Sequence, residues 1–341
     1  MNGILSISPE VCYHSLVQNQ SDPMKSIIKY LEEYAREQWD HKLFLAVGSL
    51  LTAGFAINYG LISEASILRK INQPFLQFVF YFFFYGIPYA VTLTLHSKIT
   101  GKDDCRSNPK FLALCAFTFI ILSAYVTFHN VPAYVLRTSP TVFQLMPQEF
   151  HWYIMRYASN LLPGFAVILP LVWFWIKHDY ETSRFYGFSA SHIDLRTYYA
   201  IILMLVPVVA IASFGSDFQS AYPRYKFGLP QSAVGVERAM LISGFEVCYG
   251  VDFMFVELLF RGFMVMAFAR YLGSASILPM VVVYAFLHFQ KPIGEAIGSI
   301  IGGLVLGIIA YRTQSIYGGI ILHLGIAYLM EIAGTVQLLL R

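Results

Sequence analysis

Nine apolar runs, most of them close to the length of a bilayer crossing, leave this chain few possible folds. They lie at 43–63, 74–96, 111–133, 155–176, 198–215, 239–269, 274–289, 294–311 and 316–340. A helix rising about 1.5 Å per residue needs about 20 apolar residues to cross the hydrocarbon core. Strands of a membrane barrel would alternate polar and apolar side chains instead, and these runs are apolar all round. The sequence predicts an all-α, polytopic transmembrane helical bundle of eight or nine spans. Charged residues make up only 13% of the chain, against roughly 25% in soluble proteins. The net charge of +3 is too small to point to nucleic acid, so membrane lipids are the first expected partners.

Lys25, Lys29, Arg36 and Lys42 precede the first run, and Lys98, Lys102, Arg106 and Lys110 separate the second from the third. The positive-inside rule then predicts a cytoplasmic N-terminus. No signal-peptide h-region is present, so the first run is expected to direct insertion. Ser21-Asp22-Pro23 reads as a helix start with Asp22 as cap. Ile27, Tyr30, Leu31 and Tyr34 share one face of the helix that follows, which is expected to lie on the headgroups. Residues 1–42 are thus a juxtamembrane segment, 43–235 a first set of spans with their loops, and 236–341 the region where polar residues gather. The connections Lys177–Arg196 and Ser216–Arg238 are rich in Tyr, Phe and Arg and read as interfacial connectors. Cys12, Cys105, Cys115 and Cys248 have no ligand spacing and read as isolated thiols. The 239–269 run is too long for one straight crossing, and Gly244 and Gly250 are its expected break points.

The first five runs hold no Asp or Glu, whereas the segments from 239 onward hold Glu246, Asp252, Glu257, Glu295 and Glu331. An acid at a helix centre costs roughly 2.5–3.5 kcal/mol on insertion scales; such residues are usually inward-facing, paired and functional. His288 and His323 lie among them. Glu257 and Arg261 are four apart and can pair on one helical face, which reads as a structural ion pair. Glu246 lies about three turns before Glu257 and shares its face if the helix is continuous. Asp252 projects elsewhere and is expected to bond a neighbouring backbone group or Ser. Gly298, Gly302, Gly303 and Gly307 form small-xxx-small patterns that let a neighbouring helix approach, with Glu295 pointing into the bundle.

The fragment Val256-Glu257-Leu258-Leu259-Phe260-Arg261 resembles the EExxxR motif of the CPBP family, the CAAX prenyl endopeptidases and their bacterial relatives. Tyr284-Ala285-Phe286-Leu287-His288 is similar to its FxxxH motif, and His323-Leu324-Gly325-Ile326-Ala327 to its Hxxx(N/D) motif. The resemblance covers roughly residues 236–338. It implies an intramembrane endopeptidase core at 236–341, a multi-pass protein of the bacterial plasma membrane, and a membrane-associated peptide or protein as substrate. It also implies that the first Glu and the FxxxH histidine activate water while the third motif stabilises the oxyanion. In another view the acids and histidines hold a metal. Glu257, Arg261, His288 and His323 match catalytic positions, whereas Val256 and Ala327 replace a Glu and an Asn or Asp. Glu257, His288 and His323 also make a one-Glu, two-His donor set of the kind that binds catalytic zinc. Two readings stay open: a protease in which Glu257, or an acid from Glu246 or Asp252, serves as base, and a CPBP-fold membrane protein that binds or regulates without hydrolysis. A secondary transporter is a third class, disfavoured because all the acids lie in one half.

Overall fold

The computed structural model describes residues 23–340 apart from 72, 104, 140–146, 182–183, 190–194, 228 and 231. The described residues form helices and turns, with no strand among them. Among the described residues, seven helices are long and apolar enough to cross a membrane: His41–Leu61 (α2), Pro74–Thr100 (α4), Pro109–Thr138 (α5), Ile154–Asp179 (α6), Leu195–Ala212 (α7), Ile293–Thr313 (α11) and Tyr317–Leu339 (α12). Between and before them lie Pro23–Gln38 (α1), Glu64–Lys70 (α3), Ser216–Ala221 (α8), Gly235–Glu257 (α9) and Ile277–Leu287 (α10). The chain is the polytopic helical bundle that its apolar runs predict, and an integral membrane protein.

Two of the nine runs depart from a simple crossing. The 239–269 run does not break at its glycines: α9 passes through Gly244 and Gly250 as regular helix. A Cβ on Gly244 would strike the Tyr157 hydroxyl, and one on Gly250 the Tyr328 hydroxyl, so both glycines serve close packing. The irregularity comes later, where Leu258–Ala267 widens into π turns before the short helix Phe268–Leu272. Inserted π turns recur at functional sites. The 274–289 run yields α10, only 11 residues long. At about 1.5 Å per residue it covers about half of the hydrocarbon thickness. Every residue from Ile277 to Phe286 is buried, so α10 is wrapped by protein rather than lipid, where a truncated helix is tolerated.

Half of the glycine stripe on α11 packs as expected. A Cβ on Gly303 would sit 3.1 Å from the Tyr284 ring and one on Gly307 2.8 Å from Met280, both on α10. Gly298 and Gly302 have nothing within 4 Å and play no part in that contact. The first helix also departs from expectation, because α1 docks on protein. Ile27 and Tyr34 are buried, Arg312 at the end of α11 pairs with Glu37 at 2.5 Å, and Gln38 donates to Ser274 at 2.7 Å. Asp22, the expected cap, lies outside the described residues, as do Ser21 and Cys12. Cys115 and Cys248 are free thiols, and Cys105 Sγ donates to the Tyr271 carbonyl at 3.5 Å.

The connection after α7 is more than a connector. From α8 it folds back as a strap over the ends of α11 and α12. The Tyr222 hydroxyl donates to Glu295 Oε2 at 2.7 Å, and the Arg224 amide donates to both Glu331 oxygens at 2.9 Å. On the same side of the bundle the turn after α10 is tied to the first helices. Asn58 Nδ2 donates to the Phe289 carbonyl at 2.8 Å, the Tyr59 hydroxyl to the Lys291 carbonyl at 2.8 Å, and Gln290 Nε2 to Glu64 Oε1 at 2.7 Å.

Glu64, 2% exposed, carries a pH dependence. Burial pushes its carboxyl up to about 7, against hydrogen bonds from Gln290 and Tyr81 that favour the anion. The folded chain therefore holds a proton that the unfolded chain has released above its ordinary value of 4.5. Stability from this group is complete below that value and is lost as pH rises through about 7, at most about 3 kcal/mol. The melting temperature in nanodiscs is expected to fall between pH 5 and pH 8, and Glu64→Gln to flatten the slope. An unchanged slope in the variant would remove Glu64 from the account.

Candidate functional site

The three motif segments meet where α9, α10 and α12 face one another. Glu257 ends the regular part of α9 and is wholly buried, as is Arg261 one turn on. Arg261 Nη1 lies 2.9 Å from Glu257 Oε1, the i, i+4 ion pair expected from the spacing. It is a pair by proximity rather than an aligned hydrogen bond, since no Arg261 nitrogen has a hydrogen-bond partner among the described residues. The guanidinium is held instead over Tyr284 of α10, its Cζ 4.0 Å from the ring centroid, a cation–π contact that strengthens when desolvated. On α12, His323 turns Nδ1 to Glu257 Oε1 at 2.9 Å. Space for the carboxylate comes from Gly319, where a Cβ would collide with Glu257 Oε2.

Tyr284 joins the two histidines. Its hydroxyl lies 3.4 Å from His323 Nε2, and its ring packs edge-on to His288 with centroids 4.5 Å apart. His288 Nδ1 sits 2.8 Å from the Tyr284 carbonyl. A carbonyl only accepts, so Nδ1 carries the hydrogen and Nε2 holds the lone pair in the neutral ring. By the same logic neutral His323 donates from Nδ1 to Glu257 and leaves Nε2 to accept from Tyr284. Both histidines are partly exposed, with 14% of the His323 side chain accessible, in contrast to the sealed Glu257–Arg261 pair.

The other acids fall into separate places. Because α9 is continuous, Glu246 does share the face of Glu257 toward α12. Eleven residues nevertheless separate them by about 16 Å along the axis, and Glu246 meets Glu331 instead. Glu295 is engaged by Tyr222 and by Lys291, whose Nζ is 3.4 Å from Oε1. Asp252 bonds neither backbone nor Ser: the Tyr125 hydroxyl of α5 donates to Oδ1 at 2.9 Å, and His129 Nε2 lies 3.7 Å from Oδ2. The two departures from the motifs are apolar in their surroundings as well as in themselves. Val256 is buried in the main core, and Ala327 packs among Leu241, Phe245 and Tyr249.

This arrangement does not suit a metal. Glu257 Oε1 already faces both Arg261 and His323, and no three His, Cys, Asp or Glu side chains converge among the described residues. Glu257, His288 and His323 are therefore a hydrogen-bonded constellation and not a zinc donor set. The residue that binds it together, Tyr284, stands where the FxxxH pattern has Phe; a polar ring four residues before a histidine was its signal in the sequence. Tyr125 and His129 also form such an i, i+4 polar pair, inside an otherwise apolar run.

Residues 244–329 match the family model described as type II CAAX prenyl endopeptidase, Rce1-like. No curated protein and no solved structure matches the chain. The matched stretch is about a quarter of the chain and runs from just before Glu246 on α9 to just beyond the third motif on α12, enclosing Glu257, Arg261, Tyr284, His288 and His323. The segment that carries the three motifs is similar to the Rce1-like type II CAAX prenyl endopeptidases.

Proposed function

We propose that the protein is an intramembrane endopeptidase that hydrolyses peptide bonds in membrane-associated substrates, with His288 and His323 as catalytic residues and Glu257 orienting His323. One observation supports this reading most: Glu257, His323, Tyr284 and His288 follow one another in contact across three helices. A carboxylate that fixes a histidine's tautomer and ring plane, leaving the far nitrogen to act, is a recurring catalytic device. His288 Nε2 accepts a hydrogen bond from the attacking water. When Nε2 also carries a proton, His323 donates from it to the carbonyl oxygen on which charge develops and the Tyr284 hydroxyl is released to donate there too; a single such donor is worth about 10²–10³-fold. Glu257 is committed to Arg261 and His323, so the proton acceptor lies elsewhere. The partner class is a membrane-anchored peptide or a helix end. The Lys and Arg bias of the loops supports a cytoplasmic N-terminus, with α1 and the turn at 273–276 on that side.

The test compares protein N-termini in membranes of host cells carrying the wild type, His288→Ala, His323→Ala or a deletion. Neo-termini that disappear in both variants and the deletion, at equal protein level, are the expected result. If termini are identical in all four, hydrolysis is lost in this chain and a binding role on the same fold takes its place. The apolar Val256 and Ala327 are the observations that favour that second reading.

A further inference from the structure

The carboxylate missing at position 256 has a substitute one turn away. Asp252 and Val256 are four apart within the regular part of α9, so they project from the same face. Asp252 is 8% exposed and lies within electrostatic range of His323 and Lys291. It is held by α5, a helix outside the family-matched stretch. The Tyr125 hydroxyl donates to Oδ1 at 2.9 Å, and His129 stands 3.7 Å from Oδ2. The rings of Tyr125 and His129 pack edge-on with centroids 4.9 Å apart, which fixes both against the acid. Tyr125 in turn lies within electrostatic range of Tyr284, the ring that joins the two motif histidines. A carboxylate in a membrane helix is costly, and here two residues of another helix contact it.

We propose that Asp252 is the general base of the reaction, replacing the glutamate lost at Val256, with Tyr125 and His129 as its positioning residues. This assignment rests on the hydrolase reading above. In the step, a water proton passes to an Asp252 oxygen as the water oxygen bonds to the peptide carbonyl carbon. The tetrahedral intermediate then collapses, the C–N bond breaks, and the proton held by Asp252 passes to the leaving nitrogen. The products are a carboxylic acid and an amine, and the carboxylate is regenerated.

The test uses the full chain in nanodiscs and a synthetic peptide spanning the most abundant wild-type-dependent neo-terminus, with melting temperature measured alongside. Asp252→Asn keeps the acceptor for Tyr125 and is expected to lower kcat by about 100-fold or more, with KM within about threefold. Restoring a carboxylate one turn on, by Val256→Glu in the Asp252→Asn chain, is expected to return kcat to within about tenfold of wild type. His129→Gln is expected to lower kcat by about tenfold and leave KM in place. Should Asp252→Asn alone fail to fold, the double variant and His129→Gln carry the test. Asp252→Asn at wild-type kcat overturns the assignment. So does a loss that Val256→Glu leaves in place, because a merely structural acid would not be rescued from another position. A wild type that yields no neo-terminus overturns the hydrolase reading and the assignment together, whereas a cleaving wild type with an unimpaired Asp252→Asn overturns the assignment only.

Discussion

Arg261→Met is expected to destabilise the folded chain by about 3–5 kcal/mol, and adding Glu257→Gln to it is expected to recover most of that loss. The pair is sealed, with both side chains at 0% exposure and 2.9 Å between Nη1 and Oε1. Removing either partner leaves the other charge buried without compensation, whereas removing both leaves neutral groups of similar volume. The amide oxygen introduced by Glu257→Gln would still accept from His323 Nδ1, so the double variant keeps that contact. Thermal melting of the four chains in nanodiscs closes a double-mutant cycle. A coupling energy of several kcal/mol identifies Arg261 as the counter-ion that permits a carboxylate at this depth. Additive losses would mean instead that Arg261 acts through its stacking on Tyr284.

The second large effect is expected at a glycine. Gly319→Ala places a methyl group where Glu257 Oε2 sits, and in a sealed site the carboxylate has to move. It then leaves His323, and cleavage of the wild-type-dependent peptide is expected to fall by about 100-fold. The overpacking itself is expected to cost about 1–3 kcal/mol, which the rest of the bundle should survive. Gly298→Ala is the control, because nothing lies within 4 Å of that position; it should leave both activity and melting unchanged. Equal behaviour of the two alanines would sink the idea that Gly319 houses the carboxylate.

The fold could be read from the sequence because bilayer length and uninterrupted apolarity are local properties. What could not be read depends on contacts between distant segments. The stretch from Gly244 to Gly250 looks like a break in isolation, yet Tyr157 and Tyr328 fill the notches and the helix runs on. Short α10 spells an ordinary apolar run; that only 11 of its residues are helical follows from the turn tied down by Asn58, Tyr59 and Glu64. Glu257, Arg261 and His323 come together because their motif spacing survives in one polypeptide stretch. Asp252 finds its partners 127 residues earlier, at Tyr125, and no local pattern encodes that pairing. Glu64 is a similar case, since Gln290, which donates to its carboxylate, lies in the turn after α10, 226 residues away.

The glycines of α12 fix how the bundle can open. Gly319 receives Glu257 of α9, Gly318 and Gly325 receive Tyr198 and Ile202 of α7, and Gly334 receives the backbone at Tyr222 and Pro223. Each is a keyway whose occupant would have to climb out before one helix could ratchet by a turn, about 5.4 Å, past the next. With keys on both flanks and at the strap, α12 is interlocked with α7, α9 and the strap against sliding. Under the hydrolase reading, an extended polypeptide reaching the histidines would enter along a seam that α12 does not lock, and His323 would keep its place relative to Glu257 as it did so.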